Sequence, residues 1–300
     1  MPVAGPGEAR TTDPPEDPMT STLPDVGAFA REHATWHQAK EATLTSPHGF
    51  LSVTSLAWLS DRPVVVPGVP GTWVVGDRGV VVTLTQGEHL EVDGAAIAGE
   101  HVFGHLSLRE SVLATAGDTA VELAERGGRY VVRLRDPRSP LRLGHPGTPV
   151  FPADPRWAVT GRFTAFDAPV PTTVGGAFEG VEHVYDAPGT VEFTLDGQTY
   201  SLRAFPGHGE GRLMVLFSDA TSGRSTYAFR SLTLEAPGAD GEVVVDLNRA
   251  ANLPCAYTDL ATCPLPPAEN RLPVAVEAGE KTPLTRGTAL PTEDGAVLAV

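Results

Sequence analysis

Proline and glycine interrupt this chain so often that long helices have almost nowhere to form. The 300 residues include 28 prolines and 32 glycines. Proline removes a backbone donor and fixes φ, and glycine weakens helix interiors, so the periodic segments between them stay short. Short segments separated by turn residues at roughly eight-to-twelve-residue spacing point to a sandwich or barrel, not to alternating helices and strands. The expected fold is mainly β: an N-terminal helix, a β-sandwich-like half, then a C-terminal β-barrel-like half.

The N-terminal helix is the exception. Val26, Phe29, His33, Trp36 and Lys40 recur at spacings of three and four after Asp25, a candidate N-cap. The same register turns Arg31, Glu32 and Glu41 toward water. A second, short helix is expected over Phe50–Leu59, stopping before Pro63.

Beyond it the signals are β. Alternating segments flank Gln86-Gly87 (Val80–Thr85 with His89–Val92), Gly127-Gly128 (Val121–Glu125 with Tyr130–Arg135) and Asp196-Gly197 (Val191–Leu195 with Tyr200–Leu202). Each pair reads as a hairpin. Leu213–Phe217 and Val243–Leu247 read as buried strands. A proline-rich zone, Asp136–Pro155, divides the chain. Residues 1–23 are expected as a disordered tail, 24–145 as the helix and sandwich-like region, 146–281 as the barrel-like region, and 282–300 as a mobile tail.

The formal net charge is −15 and the pI is near 4.9. Such a chain is repelled by phosphate backbones and anionic lipid surfaces, which argues against nucleic acid and membrane partners. No apolar run reaches spanning length, and the start lacks the basic and apolar regions of a signal peptide. A cytoplasmic location is expected. Oligomeric state is not legible.

Cys255 and Cys263 are too few for a disulfide scaffold. Four readings stay open for them: a zinc half-site, a redox pair or bridge, a reactive thiol with a structural neighbour, and simple burial. Zinc would need two further ligands, and His208 is far off in sequence. His101 and His105 have a metal-like spacing, but the pattern around them is that of a strand. Arg129, Arg133 and Arg135 share one strand face; in an acidic protein they could bind a carboxylate ligand, and a salt-bridged sheet edge is the favoured account of them. No nucleophile elbow, phosphate-binding loop, dinucleotide fingerprint or H-E-x-x-H is present. No cofactor or metal is expected.

Functional interest concentrates in two segments. Asp246–Lys281 is irregular and holds both cysteines, with Asn248, Asn252 and Asn270 and five prolines up to Pro273. Phe217–Arg230 runs from a strand into a turn that Asp219 and Thr221 can close by bonding to the backbone. These segments resemble the signature runs of DUF1684, a widespread bacterial family of unknown function. So do Arg126–Leu141 and, upstream, Ser46–Leu59. The resemblance covers most of residues 25–281, implies a shared, largely β fold, and carries over no activity. Against the family pattern Ala228 replaces Gly, Ser231 replaces Tyr, Ala251 an aromatic and Leu253 Pro. The large-to-small changes suggest an enlarged cavity beside Cys255.

The functional expectation is a small-molecule-binding β-protein whose pocket is formed by the C-terminal signature. A cofactor-free enzyme acting on a polar or carboxylate-bearing metabolite fits that reading. Asp219 or Glu280 would act as base, Tyr227 or Arg230 would stabilise developing negative charge, and Asp246, Asn248, Asn252, Cys255 and Asn270 would bind substrate. The alternative is a non-catalytic protein-interaction module in which the signature only clamps the C-terminal sheet.

Overall fold

The computed structural model describes residues 26–293 and 295–299. The expected tail 1–23 and the Asp25 cap lie outside them. The fold is mainly β, with one long helix, Val26–Leu44, and every strand ladder antiparallel.

Two sheets make the first half. An eight-stranded sheet runs in the order Ala289–Pro291, Gly295–Leu298, Val53–Trp58, Arg129–Arg135, Thr119–Arg126, Ser111–Ala116, Leu90–Val92 and Ala95–Ile97. A four-stranded sheet, Val64–Val65, Thr72–Gly76, Gly79–Thr83 and Glu100–Gly104, packs on it. Trp73, Val80 and Val82 from the smaller sheet share a core with Val121, Leu123 and Val132 from the larger. The six-stranded C-terminal sheet is a half-barrel in the order Arg230–Leu234, Leu213–Phe217, Gln198–Pro206, Glu182–Leu195, Ala158–Gly175 and Glu242–Asp246. Along Glu182–Leu195 burial follows the strand period of two, which places Val191, Phe193 and Leu195 in the core with Phe217, Leu232 and Val245.

The local turns behave as their residues require. Glu125 pairs with Tyr130 around Gly127-Gly128, and Leu195 pairs with Gln198 around Asp196-Gly197. Asp196 and Gly197 both take positive φ, the geometry of a two-residue hairpin turn.

Three expectations are corrected. Val80–Thr85 and His89–Val92 do not form a hairpin: Gly79–Thr83 pairs with Thr72–Gly76 and Glu100–Gly104, whereas Leu90–Val92 joins the larger sheet. Turn chemistry at Gln86-Gly87 was outweighed by packing of each strand on a different partner. The helix expected over Phe50–Leu59 is a single 3₁₀ turn, Phe50–Ser52, followed by the interior strand Val53–Trp58. That strand is covered on both faces, so its apolar residues do not alternate and resemble a buried helix in sequence. The segment expected as a mobile tail, 282–300, contains the hairpin Ala289–Pro291 with Gly295–Leu298, which pairs with Val53–Trp58.

Residues 247–281 hold no strand of the sheets. They fill the seam between the two halves. Leu260 packs with Val53, Leu56 and Trp58, while Cys255 and Cys263 pack with Tyr185 and Phe205. No described helix is long and apolar enough to cross a membrane.

Candidate functional site

The residues singled out from sequence separate into three places. The first is a clamp. Asp219 closes its turn by accepting from Thr221 N at 2.7 Å and Thr221 Oγ1 at 2.5 Å, and its other oxygen meets Arg230 Nη2 at 2.8 Å. Arg230 then donates to the carbonyls of Val276, Ala278 and Glu280. Asn270 is saturated by Arg203 N and O and by Leu216 O, at 2.7–2.8 Å. Asn248 exchanges bonds with the Asp154 backbone, and Asp246 caps it. These side chains tie irregular backbone to the sheets, and none of them lines either cavity beside the cysteines.

The second place surrounds Glu280, whose side chain is fully buried. Its Oε2 accepts from Asn252 N at 2.6 Å and Tyr257 Oη at 3.4 Å. Lys40 Nζ lies 2.8 Å from Oε1, and His37 Nε2 lies 3.6 Å from it. Glu41, one turn further along the helix, accepts from Thr148 Oγ1 at 2.6 Å and pairs with His145 Nε2 at 2.8 Å. Burial works against the ionised Glu41, but the Thr148 and His145 bonds outweigh it and hold the carboxyl below its ordinary range. Glu41 therefore does not face water as its helical register implied. Burial also lowers His37, against the pull of Glu280. His37, Glu41 and Glu280 bring donor atoms within 4.8 Å of one another. The Lys40 ammonium on Glu280 supplies the positive charge there, so the cluster reads as an ion-pair network.

The third place is a pair of cavities on either side of the thiols. The larger, about 530 Å³, is lined by Phe50, Tyr185, Met214 and Leu253, by Arg109, Arg126, Arg133 and His183, and by Thr262 and Cys263. Arg133 is buried and donates to Leu260 O and Thr262 Oγ1. It also faces Glu122 at 3.4 Å, which Arg135 meets at 2.7 Å and Arg126 at 3.4 Å. Burial opposes the Glu122 charge, yet Arg133 and Arg135 prevail and lower its pKa to about 2. The salt bridges expected of this strand are present, but Arg129–Arg135 is an interior strand and not a sheet edge.

Arg109 differs from its neighbours. Its guanidinium stacks 4.3 Å from the Tyr185 ring centre, and no carboxylate pairs with it among the described residues. The backbone there has φ +65°, a region that side-chain-bearing residues seldom adopt. Glu125 Oε2 holds that conformation by accepting from Arg109 N at 2.6 Å.

The smaller cavity, about 380 Å³, is lined by Tyr227, Cys255, Asp259, Arg286, Phe178 and Glu179 among others. Tyr227 and Cys255 thus face a hollow, but not one shared with Asp219 and Arg230. Arg286 pairs with Asp259 at 2.5 Å and donates to Cys255 O at 3.2 Å. Both cysteines are free thiols, and Cys255 N donates to Cys263 Sγ at 3.3 Å. Ser231 and Ala251 exchange backbone bonds at 2.8 Å and line neither cavity. The expected enlargement at Ser231 and Ala251 is therefore not found beside Cys255; of the replaced positions, only Leu253 borders the larger hollow.

The family match falls on the span that carries the clamp, Glu280 and both thiols. Residues 144–281 match the family Protein of unknown function (DUF1684). The matched span includes His145, Glu280 and the cysteine segment, and the helix and Arg109 lie outside it. The chain is also similar to the solution NMR structure of an uncharacterized protein from Haloarcula marismortui, with 32% identity. The match covers 48% of this chain and 80% of that one, with a TM-score of 0.40. No curated protein matches the sequence.

Sequence reasoning missed Arg109, Arg126 and His183 as cavity residues, and Lys40, His37 and His145 as partners of Glu280 and Glu41. His145 lies 104 residues from Glu41, and Arg109 is spaced from the other arginines by no strand period. His101 meets Phe103 edge to face, and His105 bonds to Tyr130 Oη and Asp77 O.

Proposed function

We propose that the protein binds a small carboxylate-bearing molecule in the 530 Å³ cavity, with Arg109 as the recognising cation. The observation that carries this reading is Arg109 itself. In a chain of net charge −15, a guanidinium at the cavity mouth is stacked on Tyr185 and left without an acidic partner among the described residues. A planar fork of donors above apolar walls suits a carboxylate whose remaining surface is hydrophobic. The C-terminal signature contributes one wall through Leu253, Pro254, Cys263 and Pro264. Burial holds His183 below the ordinary imidazole range, so at neutral pH it adds a neutral polar group, with its Nε2 bonded to Thr262 O at 2.7 Å.

Asp219 and Arg230, expected as catalytic groups, and Asn248 and Asn270, expected as substrate-binding groups, bond to each other and to backbone and line neither cavity. For those four the clamp reading is favoured, and they act by holding the signature in place. Glu280 likewise serves as the anion of a buried network instead of as a base. The supported class is thus a binding protein, with turnover depending on chemistry the ligand itself brings. A thermal-shift screen of mono- and dicarboxylates tests this. Stabilisation by a carboxylate that is lost in Arg109→Ala, with the unliganded melting temperature unchanged, is the expected result. Equal ligand response in wild type and Arg109→Ala rejects the site.

A further inference from the structure

We propose that Cys263 is a peroxide-reactive thiol that, once oxidised, closes a disulfide with Cys255. Three independent features place the chemistry. Cys263 lines the 530 Å³ cavity whereas Cys255 lines the 380 Å³ one, so the two thiols form part of the partition between them. They already meet: Cys263 Sγ accepts the Cys255 amide at 3.3 Å, and both side chains pack in the same core cluster. On the Cys263 side stands the buried Arg133 guanidinium, which lines the same cavity and is fixed to Thr262, the residue next to Cys263.

The surroundings make the thiols unequal. Burial disfavours a charge on Cys263, but donation from the Cys255 thiol and amide and the Arg133 charge outweigh it and push the thiol down. Cys255 is pushed up, first by its bond to Cys263 and then by burial. One sulfur is prepared to attack and the other to hold its proton until needed. Thiolate character and access select a cysteine for oxidation, and although Cys263 is buried, the 530 Å³ cavity that it borders supplies the approach. Arg133 can also bond to a peroxide oxygen as the O–O bond lengthens.

The steps balance with a hydroperoxide as oxidant. Cys263 thiolate attacks the distal peroxide oxygen. The S–O bond forms, the O–O bond breaks, and the alkoxide leaves with a proton from solvent as an alcohol, or as water when the oxidant is hydrogen peroxide. Sulfur has become a sulfenic acid, and the peroxide is reduced. The Cys255 sulfur then attacks Cys263, the S–S bond forms, and hydroxide leaves with the Cys255 proton as water. An external dithiol returns the pair to its reduced state by exchange.

The inference does not require the carboxylate ligand, since Arg109 has no part in it. The experiment treats the full chain with a few equivalents of hydrogen peroxide and follows intact mass and non-reduced peptide maps. Expected is the loss of two hydrogens, a Cys255–Cys263 peptide, and peroxide consumption at least about tenfold faster than by free cysteine. Cys255→Ser should keep the fast first step and accumulate a sulfenic acid trapped by dimedone at Cys263. Cys263→Ser should abolish it. Should a variant fail to fold, alkylation of the wild type with limiting iodoacetamide supplies the second readout, with Cys263 modified before Cys255. Oxidation no faster than free cysteine, the reverse order of alkylation, or no disulfide in the wild type overturns the proposal.

Discussion

Arg230 Nη2 and Asp219 Oδ2 meet at 2.8 Å with 1% and 0% of their side chains exposed. Most of the other polar contacts of the pair are backbone: the carbonyls of Val276, Ala278 and Glu280 on the arginine, and the Thr221 and Val276 amides on the aspartate, which also accepts from Thr221 Oγ1. A buried pair enclosed in this way fixes the path of a strand-free segment, because neither charge has another place to go.

Removing one member should therefore unfold more than a local turn. Asp219→Ala is expected to destabilise the protein by about 3–5 kcal/mol, since it leaves Arg230 buried without an anion. Urea denaturation of the single variants and of Asp219→Leu/Arg230→Met checks this. The double variant should lose less than the sum of the two singles; full additivity would mean that the charges act independently.

Asn270 predicts a related loss without any charge. Its amide bridges Arg203 on one strand and Leu216 on the next. Asn270→Ala leaves buried backbone groups unpaired, at a cost of about 2 kcal/mol or more. A shift in urea midpoint of that size, with unchanged slope, is the expected measurement. A neutral substitution would show that solvent reaches these groups.

Acid should act through Glu122. Its pKa is about 2 in the fold against 4.5 for the ordinary carboxyl, so the folded state binds its proton later than the unfolded state does. Its contribution, roughly 3 kcal/mol, is fully present above pH 4.5 and fades as pH falls toward 2. Unfolding free energies measured across that window should decline in wild type and decline less in Glu122→Gln. Parallel curves for the two proteins would exclude Glu122 as the source.

Histidine acts in a higher window. Burial lowers both His37 and His183 from 6.5, so the unfolded chain takes up protons first as pH falls. Stability should accordingly drop as pH falls below about 6.5. Imidazole titration by NMR should place the His183 midpoint below 6.5, and a midpoint at or above that value would contradict the burial argument.

What could be read from sequence was local. Gly127-Gly128, Asp196-Gly197 and the Asp219–Thr221 turn carry their geometry in adjacent residues, and all three form as expected. Gln86-Gly87 looked the same but failed, because the flanking strands find better partners in two different sheets. The clamp was readable as a set of residue types but not as a role: the carbonyls that accept from Arg230 come from a segment 46–50 residues away. Glu41 illustrates the limit most plainly. Helical register placed it outward, and His145 and Thr148, more than a hundred residues on, covered it. Arg109 left no pattern to find, since its importance lies in a missing partner and a left-handed backbone.

The hairpin of Ala289–Pro291 and Gly295–Leu298 lies beyond the span that matches the family, yet it completes the sheet formed by the other half. Gly295 crosses so near the Leu56 carbonyl that any side chain there would collide with it. A chain cut at residue 281 would leave Val53–Trp58 with one flank of unpaired amides, an adhesive border inviting other chains to stack against it. Aggregation of such a fragment would then report a lost cover strip, and would say nothing against the folding competence of the remainder.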